Sequence, residues 1–153
     1  MELKKLYINN NKIEEIKVLG NVRFEKLEIL FLRSNNISNI DILANVNFKE
    51  LKQLYLDDNK ISDIKVLEKV NFEKLEILNL GINKIKDINI LEKLNFLKKI
   101  FLDNNEISDI RVFGKTSFPN LEKLYLRNNN IDKNMNSMTI KILGNKLGKN
   151  LLI

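Results

Sequence analysis

The chain has 153 residues, 26 basic and 20 acidic, giving a net charge of +6, and it contains neither cysteine nor histidine. That length suits one domain. The missing side chains exclude disulfides, thiolate or imidazole metal ligands and the common nucleophile–base pairs. The charge is uneven: from Arg111 onward eight basic residues accompany two acidic ones, whereas the first 110 residues hold 18 of each sign.

The start, MELKKLYINNNK, has no apolar run suited to a signal peptide or membrane span, so a cytoplasmic protein is expected. From Leu3 the chain follows the pattern L-x-x-L-x-L-x-x-N-x-I, with Ile8 in the third place. The pattern recurs from Leu27, Leu51, Leu75, Leu97 and Leu121, at spacings of 24, 24, 24, 22 and 24 residues. Spacings of this size signal a solenoid. Within Gln53–Asp57, Leu54 and Leu56 face inward and Gln53, Tyr55 and Asp57 outward, the period of a strand. Six strands are expected. Nothing ahead of Leu3 can cap an open core end, so a monomeric fragment or a minimal solenoid is expected rather than an obligate dimer.

Each unit continues along a second arm, as in Ile64, Leu67, Val70 and Phe72. The spacing across Asp63–Val70 predicts a short helix or 3-10 turns capped by Asp63. In the fourth unit Ile88, Leu91, Leu94 and Phe96 align with those positions. Phe96 then runs directly into Leu97, a shortening expected to alter curvature there. Pro119 precedes the last repeat strand, where proline is tolerated. After Ile131 the pattern ends, with Asn134 where earlier units have isoleucine. Residues 1–134 are read as the repeat domain and 135–153 as a capping segment, part helix or part strand. Gly144 and Gly148 argue against one long helix.

Six aligned copies of this motif resemble the leucine-rich repeat family over nearly the whole chain. The resemblance implies an α/β repeat: a right-handed solenoid with a parallel concave sheet of six strands and short helices or 3-10 turns on the convex side. The N-x-I-x-x-I-x-x-L continuation is similar to the short-repeat subfamily. That group includes the regulatory subunit of type-one protein phosphatase, an outer-arm dynein light chain and a spliceosomal A-prime protein. The resemblance to it implies regulation of a phosphatase or attachment to a cytoskeletal motor as conceivable roles.

The recurring asparagines Asn11, Asn35, Asn59, Asn83, Asn105 and Asn129 are expected to be structural. An inward carboxamide can both donate to and accept from the backbone groups a turn leaves unpaired. Outward positions form columns across strands about 4.8 Å apart. The middle column is Tyr7, Phe31, Tyr55, Asn79, Phe101 and Tyr125. Before it lie Lys5, Ile29, Gln53, Ile77, Lys99 and Lys123; after it lie Asn9, Arg33, Asp57, Gly81, Asp103 and Arg127. An aromatic and aliphatic strip rimmed by charge has the composition of a protein interface, although rings in one column also stabilise a sheet by stacking. The loss of bulk at Asn79 and Gly81 predicts a shallow depression over Gly81, flanked by Tyr55 and Phe101, into which a partner group inserts.

The expected function is therefore a non-catalytic protein-interaction module or scaffold that docks a partner protein on the aromatic strip. No enzyme activity, cofactor or metal is expected. Asp57 and Asp103 stand two strands apart, about 10 Å, too far to share an ion. Two alternatives stand beside it. One is a regulatory or structural subunit of a larger complex. The other is single-stranded nucleic-acid binding, with bases stacking on the rings and phosphates meeting Lys5, Arg33, Lys99, Lys123 and Arg127. Against it stand Glu28, Asp57, Asp58, Glu76, Asp103 and Glu122 on or beside the same face. A basic tail, Lys133, Lys141, Lys146 and Lys149, is read as a soluble cap.

Overall fold

The computed structural model describes residues 2–153. Its spine is one parallel sheet whose strands follow one another in sequence order: β1 (Lys5–Tyr7), β2 (Ile29–Phe31), β3 (Gln53–Tyr55), β4 (Ile77–Asn79), β5 (Lys99–Phe101), β6 (Lys123–Tyr125) and β7 (Leu151–Leu152). The register places equivalent repeat residues side by side, Tyr7 beside Phe31, Phe31 beside Tyr55, and so on to Tyr125. The sheet has seven strands where six were expected. The extra strand pairs Leu151 with Leu124 and Leu152 with Tyr125, and it comes from the capping segment.

The middle residue of each strand from β2 to β6, Leu30 through Leu124, is fully buried, together with Leu32, Leu56, Leu80 and Leu102 just beyond. This is period-two burial with one face inward. The return arms run as 3-10 turns at Lys17–Asn21, Asp41–Asn45, Lys65–Glu68 and Asn89–Leu94, and as a short helix α1 at Val112–Lys115. The Lys65 N–H donates to Asp63 Oδ1 at 2.8 Å, so Asp63 does hold the start of its turn. Asp87 and Asp109 make the same bond to Asn89 and Arg111, as Asn39 does to Asp41. The last four of the five turns therefore begin with a local side-chain loop that Asn and Asp favour, whereas the first has Glu15 at that position.

The shortened fourth unit is accommodated differently from its sequence alignment. In the other units the N–H of the strand-leading leucine donates to a phenylalanine carbonyl three residues earlier, Leu75 to Phe72 for example. Leu97 donates instead to Leu94. Leu94 is buried and Phe96 only half-buried, so Leu94 takes the core position of the phenylalanine column. The two missing residues fall between Leu91 and Leu94. The phenylalanines before it, Phe24, Phe48 and Phe72, stack at centroid separations of 6.4 and 6.5 Å.

The asparagine column ties turn to turn. Asn83 Nδ2 donates to the carbonyls of Leu56, Leu80 and Gly81, and its Oδ1 accepts from the Ile61 N–H. Asn35, Asn59, Asn105 and Asn129 repeat that arrangement. Asn11, exposed in the first turn, bonds only its own strand end. One residue before each asparagine the backbone turns left-handed: Asn10, Ser34, Asp58, Ile82, Asn104 and Asn128 all have φ between 51 and 58°. Asn, Asp and Ser tolerate that region locally, whereas a β-branched residue is strained there. Ile82 is the exception and is 47% exposed. Ile82→Asn is expected to stabilise the fold by about 1 kcal/mol. A thermal melt checks this, and an unchanged or lower midpoint contradicts it.

The capping segment is both helix and strand. Helix α2 (Ser137–Leu147) buries Thr139, Leu143 and Leu147 against the last turn, a 3-10 turn follows at Gly148–Asn150, and β7 closes the sheet. Gly144 sits inside that 11-residue helix at an exposed position. Gly148, at φ +51°, does end it. Asn136, rather than Asn134, continues the inward polar role: fully buried, it accepts from Ile110 N–H and donates to Ser108 and Asp132 carbonyls.

Candidate partner-binding face

The outward side chains of β1–β6 stand in the columns that the register dictates. Tyr7, Phe31 and Tyr55 form a continuous stack, with centroids 4.9 and 4.1 Å apart and ring planes within 16 and 3° of parallel. The row stops at Asn79. It resumes at Phe101, which meets Tyr125 edge-on at 5.1 Å, and the Arg127 guanidinium lies 5.7 Å over the Tyr125 ring. Tyr7 is exposed and Phe31, Tyr55, Phe101 and Tyr125 are half-buried. Ile29, Gln53, Ile77, Lys99 and Lys123 are half-buried beside them. The Tyr55 hydroxyl donates to Gln53 Oε1. The ring stacking expected from the sheet is therefore present along the same row of residues that forms the outward surface.

The neighbouring column carries paired charge. Arg33 Nε lies 3.1 Å from Asp57 Oδ2, and Arg127 Nε lies 3.5 Å from Asp103 Oδ1. Asp103 Oδ1 also accepts the Arg127 backbone N–H at 2.9 Å. The corresponding backbone donor for Asp57, one strand along, is Gly81. That N–H is taken by Asn79 Oδ1 at 3.1 Å. Asp57 is 7% exposed, and its Oδ1 is the one buried side-chain polar atom without a hydrogen bond among the described residues. Gly81 is itself buried under this arrangement. The depression expected over Gly81 is thus not open down to the backbone; the interruption lies above Asn79, at the height of the rings.

Burial pushes the Asp57 carboxyl above the ordinary aspartate range, against the opposing effect of Arg33. The folded state consequently holds the Asp57 proton more tightly than the unfolded chain does. Stability from this group is present below the ordinary value of 3.8 and is lost as pH rises through the elevated one. Relative to wild type, Asp57→Asn should therefore gain stability as pH increases from 3 towards 7. Melting curves across that range measure the difference, and a difference independent of pH contradicts the assignment.

A further column, not read as a unit from the sequence, lies one residue after the leading leucines: Lys4, Glu28, Lys52, Glu76, Lys98 and Glu122 alternate strictly in sign. Lys52 and Lys98 pair at 2.8 Å with Glu28 and Glu76, and Lys4 approaches Glu28 at 3.7 Å. The hydrogen bond from Lys52 holds the Glu28 carboxyl below its usual range and raises the Lys52 ammonium. The signal was available as sign alternation at the repeat period. Among the described residues no group of histidine, cysteine, aspartate or glutamate is arranged to hold a metal.

Profiles for leucine rich repeats (two copies) match residues 25–69 and 49–96, and one for a single leucine rich repeat matches 120–145. The chain belongs to the leucine-rich repeat family. Among solved structures it is similar to an internalin from Listeria monocytogenes, at 34% identity and a TM-score of 0.70, covering 84% of this chain and 35% of that one. A leucine-rich-repeat protein of Leptospira interrogans superposes with a TM-score of 0.81 at 24% identity, covering 99% of this chain and 37% of the other. A second Listeria monocytogenes internalin, C2, gives 0.59 at 23% identity, covering 98% and 79%. This leucine-rich repeat chain spans a little over a third of the length of the first two. No match is found among curated proteins. Among the described residues no helix is long and apolar enough to cross a membrane.

Proposed function

We propose that this leucine-rich repeat chain is a non-catalytic recognition module that docks a partner protein on the concave sheet face through its aromatic strip. The observation that carries the reading is the row Tyr7, Phe31, Tyr55, Phe101 and Tyr125, held outward on a preformed sheet and rimmed by Lys, Arg and Asp. Aromatic and arginine side chains are favoured interface anchors, and a sheet locked by turn-to-turn hydrogen bonds loses little freedom on binding. The module is read as monomeric and cytoplasmic, acting as a scaffold or regulatory subunit; a chain without cysteine suits a reducing compartment. The short-repeat subfamily of the phosphatase regulatory subunit stays a proposal resting on the N-x-I-x-x-I-x-x-L continuation. The stacking of Tyr7, Phe31 and Tyr55 on one another favours a protein over nucleic acid, because most of the ring faces that would receive bases are already covered.

The test is affinity capture from a lysate of the producing cells, comparing wild type with a Tyr7→Ser, Tyr125→Ser double variant that melts normally. A protein captured by wild type and lost by the variant supports the reading. Equal capture by both contradicts it, and lanes emptied by nuclease favour nucleic acid instead.

A further inference from the structure

The fourth unit breaks two columns at once. Along the rings, the order is Phe31, Tyr55, Asn79, Phe101, Tyr125; one rung, and only one, lacks a ring. Tyr55 and Phe101 are two strands apart, about 9.6 Å. The rung between them leaves room for a single planar group against the face of Tyr55 that Phe31 does not cover. Along the charges, the order is Arg33, Asp57, Gly81, Asp103, Arg127. Both arginines lie on the outer sides, leaving the carboxylates to flank the centre. The Lys4–Glu122 column alternates in sign without interruption. The Arg33–Arg127 column would do the same if a cation stood at its centre.

The unmet hydrogen-bonding groups point the same way. Asp57 is paired on its β2 side alone, and its Oδ1 has no partner. Asp103 uses Oδ1 for Arg127, while its half-buried carboxylate keeps Oδ2 unbonded. The Asn79 Oδ1 is spent on Gly81. The Asp57 Oδ1 is sealed from solvent, so the centre offers the Tyr55 ring, the Asp103 carboxylate and no cation of its own. A guanidinium is flat enough to stack on a ring and carries its donors in a fork that matches a carboxylate; an ammonium does only the second.

We propose that the gap above Asn79 receives an arginine side chain of the partner protein, its guanidinium stacked on the Tyr55 ring beside Phe101 and donating to the Asp103 carboxylate. This rests on the sheet face being the docking surface, and it adds the chemistry of one anchor residue.

The test titrates ¹⁵N-labelled full-length protein with N-acetyl-arginine amide, and in parallel with the lysine and tyrosine amides. Signals are followed at the Asn79 side-chain amide and the Gly81 N–H. Saturable shifts are expected there with the arginine probe, about threefold or more tighter than with lysine. They should vanish in Asn79→Phe, which supplies the missing ring and should melt no lower than wild type. A second variant, Gly81→Arg, should also abolish them. The nearest atoms to a Cβ at that position are 3.4 Å away, so a Cβ meets no clash there. Absence of shifts at Asn79 and Gly81, equal or tighter response to lysine or tyrosine, or shifts that persist in Asn79→Phe would each overturn the proposal. The two readings fail separately. The titration reads the gap without Tyr7 or Tyr125, whereas the capture test alters both of those residues and leaves the gap intact.

Discussion

Asn83→Ala is expected to destabilise the protein by about 3 kcal/mol, a fall of roughly 10 °C in Tm. The loss is large because the carboxamide serves two turns at once. It donates to Leu56, Leu80 and Gly81 carbonyls and accepts from Ile61 N–H, all in a buried setting. Alanine leaves the buried Ile61 N–H without a partner and removes one of two donors from each of the Leu56, Leu80 and Gly81 carbonyls. The control is Asn11→Ala, where the side chain is exposed and bonds only Ile8 and Asn9 carbonyls; its cost should stay within about 0.5 kcal/mol. Urea unfolding of both variants measures the contrast. Equal costs at the two positions would mean that the asparagine column does not bind turn to turn.

Phe48→Ala should cost about 4 kcal/mol. Phe48 is fully buried and stands between Phe24 and Phe72 in the stacked column under the return arms. Truncation removes a ring's worth of burial and opens a cavity that two neighbouring turns cannot collapse to fill. The fourth unit gives this expectation its sharpest form. Leu94→Ala should cost about 3 kcal/mol and Phe96→Ala only about 1, because Leu94 is buried in the phenylalanine column and Phe96 is half-exposed beside it. A larger loss at Phe96 than at Leu94 would contradict the observed placement.

The repeat strands, their parallel order, the inward leucines and the three outward columns of six residues were all legible from the L-x-x-L-x-L-x-x-N-x-I pattern, because register in a solenoid is set by the repeat itself. Three features were not. The seventh strand lies in a two-residue segment, Leu151–Leu152, that carries no repeat template and pairs only because α2 returns the chain beside β6. Phe96 aligned with the phenylalanine column by residue type, whereas hydrogen bonding three residues back from Leu97 selects Leu94. The bond from Gly81 N–H to Asn79 Oδ1 is a side-chain choice that composition cannot show. It decides both the burial of Gly81 and the unmet acceptor at Asp57. The columns of the candidate face were thus readable, and the detailed chemistry at their centre was not.

The central claim is that the partner docks on the sheet face. The most direct measurement is photocrosslinking, with p-benzoylphenylalanine placed at Tyr125 on the sheet and, separately, at Val18, which is 63% exposed on the opposite arm. With the captured partner present, an adduct from position 125 and none from position 18 is predicted. An adduct from position 18 alone would contradict the account and move the recognition surface to the return arms.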